Sequence, residues 1–274
     1  MIISYSIFDP TGNITLLVET PVPRQKQPGI AGYLMSREPE AEQVGFIEAP
    51  SSAGALARLQ MAGGEFCGNA AISLAGLLAG AYDLSYGRPV IIPLEVSGAL
   101  GIVECRIEPL EDGYIGTIDM PLPRLIEMRT FYLDGLGYDL TVVHMPGISH
   151  IIFPSALIPA LSEPAAERAL IDWSSIIKAE ACGLLLLDEE ASHLTPLVYV
   201  PSVGSLVWEH GCASGSAAVA AYLAYKAAAD ADVKLRQPGG TIRARARARD
   251  EIYSLSICAR TAFKTKKLID TGPV

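Results

Sequence analysis

The sequence predicts an α/β protein, α+β in the arrangement of its sheets, built of two similar lobes that each wrap a curved, mostly antiparallel sheet around a central alanine-rich helix. Three observations lead there. Short β-branched or apolar runs bounded by turn residues recur along the chain, as half-buried strands do. Two alanine-rich segments of good helix formers without proline interrupt them. Each of those segments is opened by a cysteine in a glycine-rich turn, Cys67 and Cys212, at an offset of 145 residues that also sets Ala75, Leu78 and Ala79 opposite Ala220, Leu223 and Ala224. A period near half the chain reads as an internal duplication, whose expected outcome is two lobes with one shared site.

The elements follow in order. Ile2 to Phe8 alternates and is β-branched, Asp9-Pro10-Thr11-Gly12-Asn13 breaks it, and Ile14 to Val18 resumes: strand, turn, strand. Pro21 to Gly29 carries three prolines and reads as a loop. Glu42 to Glu48 and Ala55 to Met61 suit strands. Gly63-Gly64-Glu65-Phe66-Cys67-Gly68-Asn69 then delivers a cysteine to a helix running from Ala70 to Tyr82. Val90 to Val96 and Ile102 to Ile107 form a hairpin about Ser97-Gly98. In the second half, strands at Leu194 to Val200 and Ser205 to Glu209 lead to His210-Gly211-Cys212-Ala213-Ser214-Gly215-Ser216 and a helix from Ala217 to about Ala229. Val233 to Gln237 and Thr241 to Ala248 pair about Pro238-Gly239-Gly240. The lobe boundary falls near Met120-Pro121-Leu122-Pro123, giving an N-terminal lobe over 1–121 and a C-terminal lobe over 122–274 whose last strand can return to the first.

Length agrees, since 274 residues at about 150 per domain make roughly two. With 21 basic against 30 acidic residues the formal charge is −9, which opposes a sequence-independent grip on phosphate backbones or anionic lipid. Nucleic acid and membrane are excluded as partners. Thr241 to Arg249 alternates at a period of two, Arg243, Arg245, Arg247 and Arg249 against Ile242, Ala244, Ala246 and Ala248, which reads as a strand with alanines inward and arginines solvated. The first residues lack the basic start and cleavage site of a signal peptide, and no apolar run is long enough to span a bilayer, so a cytoplasmic protein is expected. Five widely spaced cysteines and four scattered histidines show no CxxC pair; a disulfide framework, a metal site and a metal cofactor are not expected.

Cys105, Cys182 and Cys258 read as small buried hydrophobes. Cys67 and Cys212 differ, because each sits where the N–H groups and positive dipole end of a helix lie. That setting lowers a thiol's pKa and also suits a carboxylate. Two such mouths facing each other could hold one carboxylate and move a proton from one face of a carbon to the other.

Glu65-Phe66-Cys67-Gly68-Asn69-Ala70 and Trp208-Glu209-His210-Gly211-Cys212-Ala213-Ser214-Gly215, with Gly12-Asn13, resemble the cofactor-independent amino-acid racemases and epimerases of the diaminopimelate epimerase fold. Asp9 to Thr15, Glu42 to Glu48, Glu65 to Ala70 and Gln237 to Gly240 are most similar to the histidine racemases that supply D-histidine for staphylopine-type metallophores. The resemblance implies the pseudo-symmetric two-lobed fold, no pyridoxal phosphate or other cofactor, a small amino-acid substrate, and Cys67 and Cys212 as a thiolate and thiol pair of bases. It also implies that the backbone of Gly68, Asn69, Ala213 and Ser214 holds the α-carboxylate, and a homodimer fits it. Glu209 is the expected partner of the α-ammonium, and Glu42 or Glu65 faces the substrate side chain. Asn13 is either a site amide or the left-handed residue of a turn. His210 and His150 read as pocket walls or bonded polar residues rather than bases.

Departures from diaminopimelate epimerase bear on the substrate. His210 stands where that enzyme has an arginine, Ile148 replaces an asparagine in Gly147-Ile148-Ser149-His150, and Arg58-Leu59-Gln60-Met61 loses another distal contact. A site stripped of partners for a second charged head favours a smaller amino acid, histidine first. Diaminopimelate epimerisation or racemisation of another amino acid is the alternative, followed by a non-catalytic or isomerase relative of the fold. A thiol redox protein would need the two cysteines to bond directly.

Overall fold

The computed structural model describes residues 1–80, 88–158, 161–201 and 204–272. It is a mixed α/β structure that divides into two compact units, Met1–Asp119 with Cys258–Val274, and Met120–Ile257.

In the first unit the chain runs β1 (Ile2–Pro10), β2 (Thr15–Val18), α1 (Gln27–Arg37), β3 (Gln43–Glu48), β4 (Ala57–Met61), α2 (Gly68–Ala79), β5 (Val90–Val96), β6 (Ile102–Leu110) and β7 (Gly113–Asp119), and it ends with the later part of β16 (Ile252–Asp270). Strand order is β1-β2-β3-β4-β5-β6-β7-β16, and β16 pairs back onto β1 from Ile2 against Asp270 to Pro10 against Thr261. The sheet therefore closes on itself, which leaves no edge within this ring. Two pairs, β2 with β3 and β4 with β5, are parallel. Inside the ring lies α2, touching β1, β2, β4, β5, β6 and β7. Only small side chains let a helix sit so close. Ala70, Ala71, Ala75 and Ala79 are fully buried, and a Cβ on Gly116 of β7 would come within 2.3 Å of Ile72. A second core, with Tyr5, Ile30, Leu34 and Phe46, forms under α1.

The second unit runs β8 (Leu125–Leu133), β9 (Leu136–Met145), β10 (Ile148–Pro154), α3 (Glu163–Ile177), β11 (Cys182–Asp188), β12 (His193–Val200), β13 (Ser205–Trp208), α4 (Ala213–Ala227), β14 (Ala231–Gln237), β15 (Gly240–Ala248) and the start of β16. Strand order is β8-β9-β10-β11-β12-β14-β15-β16, with β13 added to β12; β10 with β11 and β12 with β14 are the parallel pairs. Helix α4 packs on β9, β10, β14 and β15. On α3, Ala166, Ala169, Leu170 and Trp173 recur at helical spacing and bury one face, where Trp173 meets Phe131 at 4.9 Å. Lys178, in the left-handed region at φ 57°, ends that helix.

Three expectations need correction. Pro21 to Gly29 is not all loop, because a 3-10 turn at Arg24–Lys26 runs straight into α1 at Gln27. Pro28 belongs to the first turn of that helix, where its missing N–H costs nothing. The second alanine-rich helix begins at Ala213 rather than Ala217, taking in Ser214, Gly215 and Ser216. The first starts at Gly68 rather than Ala70, taking in Asn69; Tyr82, where it was expected to end, lies outside the described residues. The arginine stripe is the strand it reads as, with Ala244 and Ala246 fully buried and Arg243, Arg245 and Arg247 paired with Asp232 and Asp230.

Candidate active site

Cys67 and Cys212 are the N-cap residues of α2 and α4. Each has extended backbone, φ −127° and ψ 110° for Cys67 and φ −105° and ψ 107° for Cys212, so its sulfur folds back over the first helical turn. Cys67 Sγ accepts from the Ala70 N–H at 3.4 Å, and Cys212 Sγ accepts from the Gly215 N–H at 3.2 Å. Serine, threonine, aspartate and asparagine are the strong caps, so a cysteine at both positions gives up cap strength for a nucleophilic, polarisable atom. The first turn of each helix also presents N–H groups that have no intrahelical acceptor, at the positive end of the dipole.

Around Cys67 stands a network of neutral amides. Its thiol donates to Gln43 Oε1 at 2.8 Å. The Gln43 amide is held in that orientation because Nε2 donates to Thr15 Oγ1 at 2.7 Å and to Asn13 Oδ1. Asn13 accepts further from Asn69 Nδ2 at 3.1 Å and donates from Nδ2 to Glu42 Oε2. The structure thus gathers Asn13, Glu42, Asn69 and Cys67. Asn13 is a buried amide of this network; the left-handed residues of its turn are Thr11 and Gly12. Glu65 keeps an open surface although protein surrounds much of it. Desolvation pushes its pKa up, against its own and the Gly63 backbone N–H groups, which lower it.

Cys212 is 3 % exposed, and its surroundings are charged as well as polar. Burial pushes its thiol well above the usual range, the Glu209 carboxylate that accepts its hydrogen bond pushes it further, and the Ser214 hydroxyl and Gly215 N–H pull it back. Gln237 Oε1 accepts the Cys212 N–H at 2.7 Å, while its Nε2 donates to Ser216 Oγ at 2.8 Å and Ser216 donates to the Cys212 carbonyl at 2.7 Å. That clamp fixes the cap. His210 is exposed, and its carbonyl accepts from Gly239 N–H at 2.7 Å. His150 is fully buried with Nε2 3.1 Å from Ser214 Oγ.

Gln43 and Gln237 were not singled out as site residues by sequence. Both lie in the strings that carried the resemblance, which was the available signal. Arg58 takes no distal role; it bridges Glu95 at 3.3 Å and Glu48 at 3.5 Å. Cys105 and Cys182 are fully buried, and burial pushes both thiols up to about 12. Cys258 is half-buried. Among the described residues no cluster of three or more His, Cys, Asp or Glu could hold a metal ion, and no helix is long and apolar enough to cross a membrane.

The fold is shared with amino-acid racemases and their structural kin. A probable proline racemase from Agrobacterium radiobacter superposes with a TM-score of 0.72 at 14% identity, covering 99% of this chain and 94% of the other. A phenazine biosynthesis protein of the PhzF family from Bacillus anthracis gives 0.70 at 12% identity, covering 98% and 99%. In sequence, residues 2–263 match the model for the histidine racemase CntK N-terminal domain. Histidine racemases from Staphylococcus aureus and Fusobacterium nucleatum are 29% and 32% identical, the first over 88% of this chain and 87% of its own, the second over 87% of each. The chain belongs to the histidine racemase family.

Proposed function

We propose that this chain interconverts L- and D-histidine without a cofactor, with Cys67 and Cys212 as the two bases, one for each face of the α-carbon. The observation that carries the reading is the pair of cysteine N-caps, each with a helix N–H on its sulfur and a held acceptor for its proton. In one direction a thiolate removes the α-proton and the opposite thiol donates one; in the other the roles exchange, and the thiolate and thiol are regenerated swapped. An α-hydrogen is weakly acidic, so the developing carbanion needs fixed dipoles and little water. First-turn N–H groups at Gly68, Asn69, Ala213 and Ser214 suit the α-carboxylate. Glu209, whose carboxylate accepts from the Cys212 thiol, is the partner for the α-ammonium. Glu42 or Glu65 faces the imidazole, and a carboxylate with a raised pKa such as Glu65 can share a proton with it.

The reading includes two pseudo-symmetric lobes of the diaminopimelate epimerase type, each centred on its cysteine-capped helix, in a cytoplasmic homodimer. D-histidine as a building block of a staphylopine-like metallophore is the matching physiological use. The test is a chiral assay of the purified chain, without added cofactor, across the common amino acids and diaminopimelate. Histidine is expected to approach equal amounts of both enantiomers from either side. Inversion of diaminopimelate or another amino acid in preference to histidine would replace the substrate, and inversion of none would remove the function.

A further inference from the structure

The geometry points to a fixed donor relay from His150 through Ser214 to the sulfur of Cys212, which makes His150 and Ser214 positioning residues that stabilise the thiolate of Cys212. His150 on β10 is completely buried, its Nε2 lies 3.1 Å from Ser214 Oγ, and that oxygen lies 3.6 Å from Cys212 Sγ. The direction of the chain follows from the other ring nitrogen. Nδ1 is buried without a hydrogen-bond partner, and it faces Gly183 of β11 so closely that a Cβ there would stand 2.3 Å away. The Gly183 Cα–H pointing along that line leaves space for a bare lone pair, which it can contact weakly, and none for an N–H. Orphaned buried N–H groups are also rarer than under-satisfied acceptors.

The ring is therefore neutral with its proton on Nε2, and burial lowers its pKa to about 3, so it stays in this state at any working pH. With Nε2–H donating to Ser214, the serine's own proton is free to point at Cys212 Sγ. The Gly215 N–H supplies a second donor to the same sulfur. The neighbouring polar and charged groups on the described elements are engaged as follows. Glu209, entering α4, accepts from the thiol. Gln237 of β14 takes the Cys212 backbone N–H. His144 of β9 turns to Glu127 and Ser149, and the β15 arginines to Asp232 and Asp230. Glu209 thus favours the thiol and the relay favours the thiolate, a balance that brings a buried thiol toward the range a proton-transfer group needs.

The functional meaning rests on Cys212 exchanging a proton with substrate, but the relay is measurable without turnover. In a Cys67→Ser background, the thiolate absorbance of Cys212 is titrated against pH, with folding followed by circular dichroism. Ser214→Ala keeps the backbone N–H and the helix, and is expected to raise the midpoint by about one unit, tenfold in the ionisation constant. His150→Leu should raise it equally, the double variant no further, and Ser214→Thr and His150→Gln, which keep the hydroxyl and the donor, should restore it. An unmoved midpoint in Ser214→Ala, or additive shifts in the double variant, overturns the relay. Failure of the chiral assay with these shifts intact would instead remove the racemase reading and leave the relay standing.

Discussion

The claim with the sharpest consequence for single residues is that sulfur does chemistry at a position where oxygen would cap better. Cys67→Ser and Cys212→Ser should each lower racemisation by about 10²–10⁴-fold, the usual contribution of a positioned base, because a serine hydroxyl is almost never ionised near neutral pH. The same changes should leave the thermal midpoint equal or higher, since serine is the stronger N-cap. A parallel loss of stability and activity in a melting assay would mean that the cysteines are structural. Gly183→Ala should cost about 1–3 kcal/mol by driving a methyl into His150, read as a lower denaturation midpoint. At this scale the two cysteines stood out in the sequence because each opens a helix from a glycine-rich turn at matching positions of a repeat, whereas Asn13 and Glu209 entered through the resemblance. The sequence did not carry the roles of Gln43, Gln237 or His150. Each acts through partners brought from distant strands, and a side chain's tautomer or amide orientation is set by those partners alone.

Elements that stand alone in the sequence were legible. Both hairpins, at Ser97-Gly98 and Pro238-Gly239, form as their turn residues imply, and the alanine-arginine alternation is a strand because period two admits little else. Helix α1 was missed because three prolines outweigh the apolar spacing of Ile30 and Leu34, although Pro28 suits a first turn. No element was assigned between Pro123 and Leu194, where β8 to β11 and α3 lie. The enclosed helix α2 makes its own prediction. Gly116→Ala should destabilise by about 1–3 kcal/mol, because Ile72 stands 2.3 Å from the new Cβ and the closed ring resists expansion. Arg245→Ala, on the exposed ion-pair ladder of β15, should change stability by less than about 1 kcal/mol in the same denaturant titration.

For the whole molecule, the buried neutral His150 makes stability depend on acid. Its pKa is lowered from an ordinary 6.5 to about 3 on folding. The unfolded chain therefore binds more protons between those values, and stability rises with pH through that window and is complete above it. Relative to His150→Gln, the protein should lose up to about 1.4 kcal/mol for each pH unit below 6. Comparison with the variant cancels the carboxylates, among them Glu95 and Asp232, both held near 2 by their hydrogen-bond donors, whose stabilising contribution is lost as pH falls from the ordinary carboxylate values of 4.5 and 3.8 toward 2. The account as a whole stands on two bases rather than one. Incubating L-histidine with the protein in heavy water and stopping after a few per cent of conversion measures this most directly. Deuterium should fill the α-position of the D-histidine formed while the recovered L-histidine stays unlabelled; label appearing equally in both enantiomers would mean a single base and contradict it.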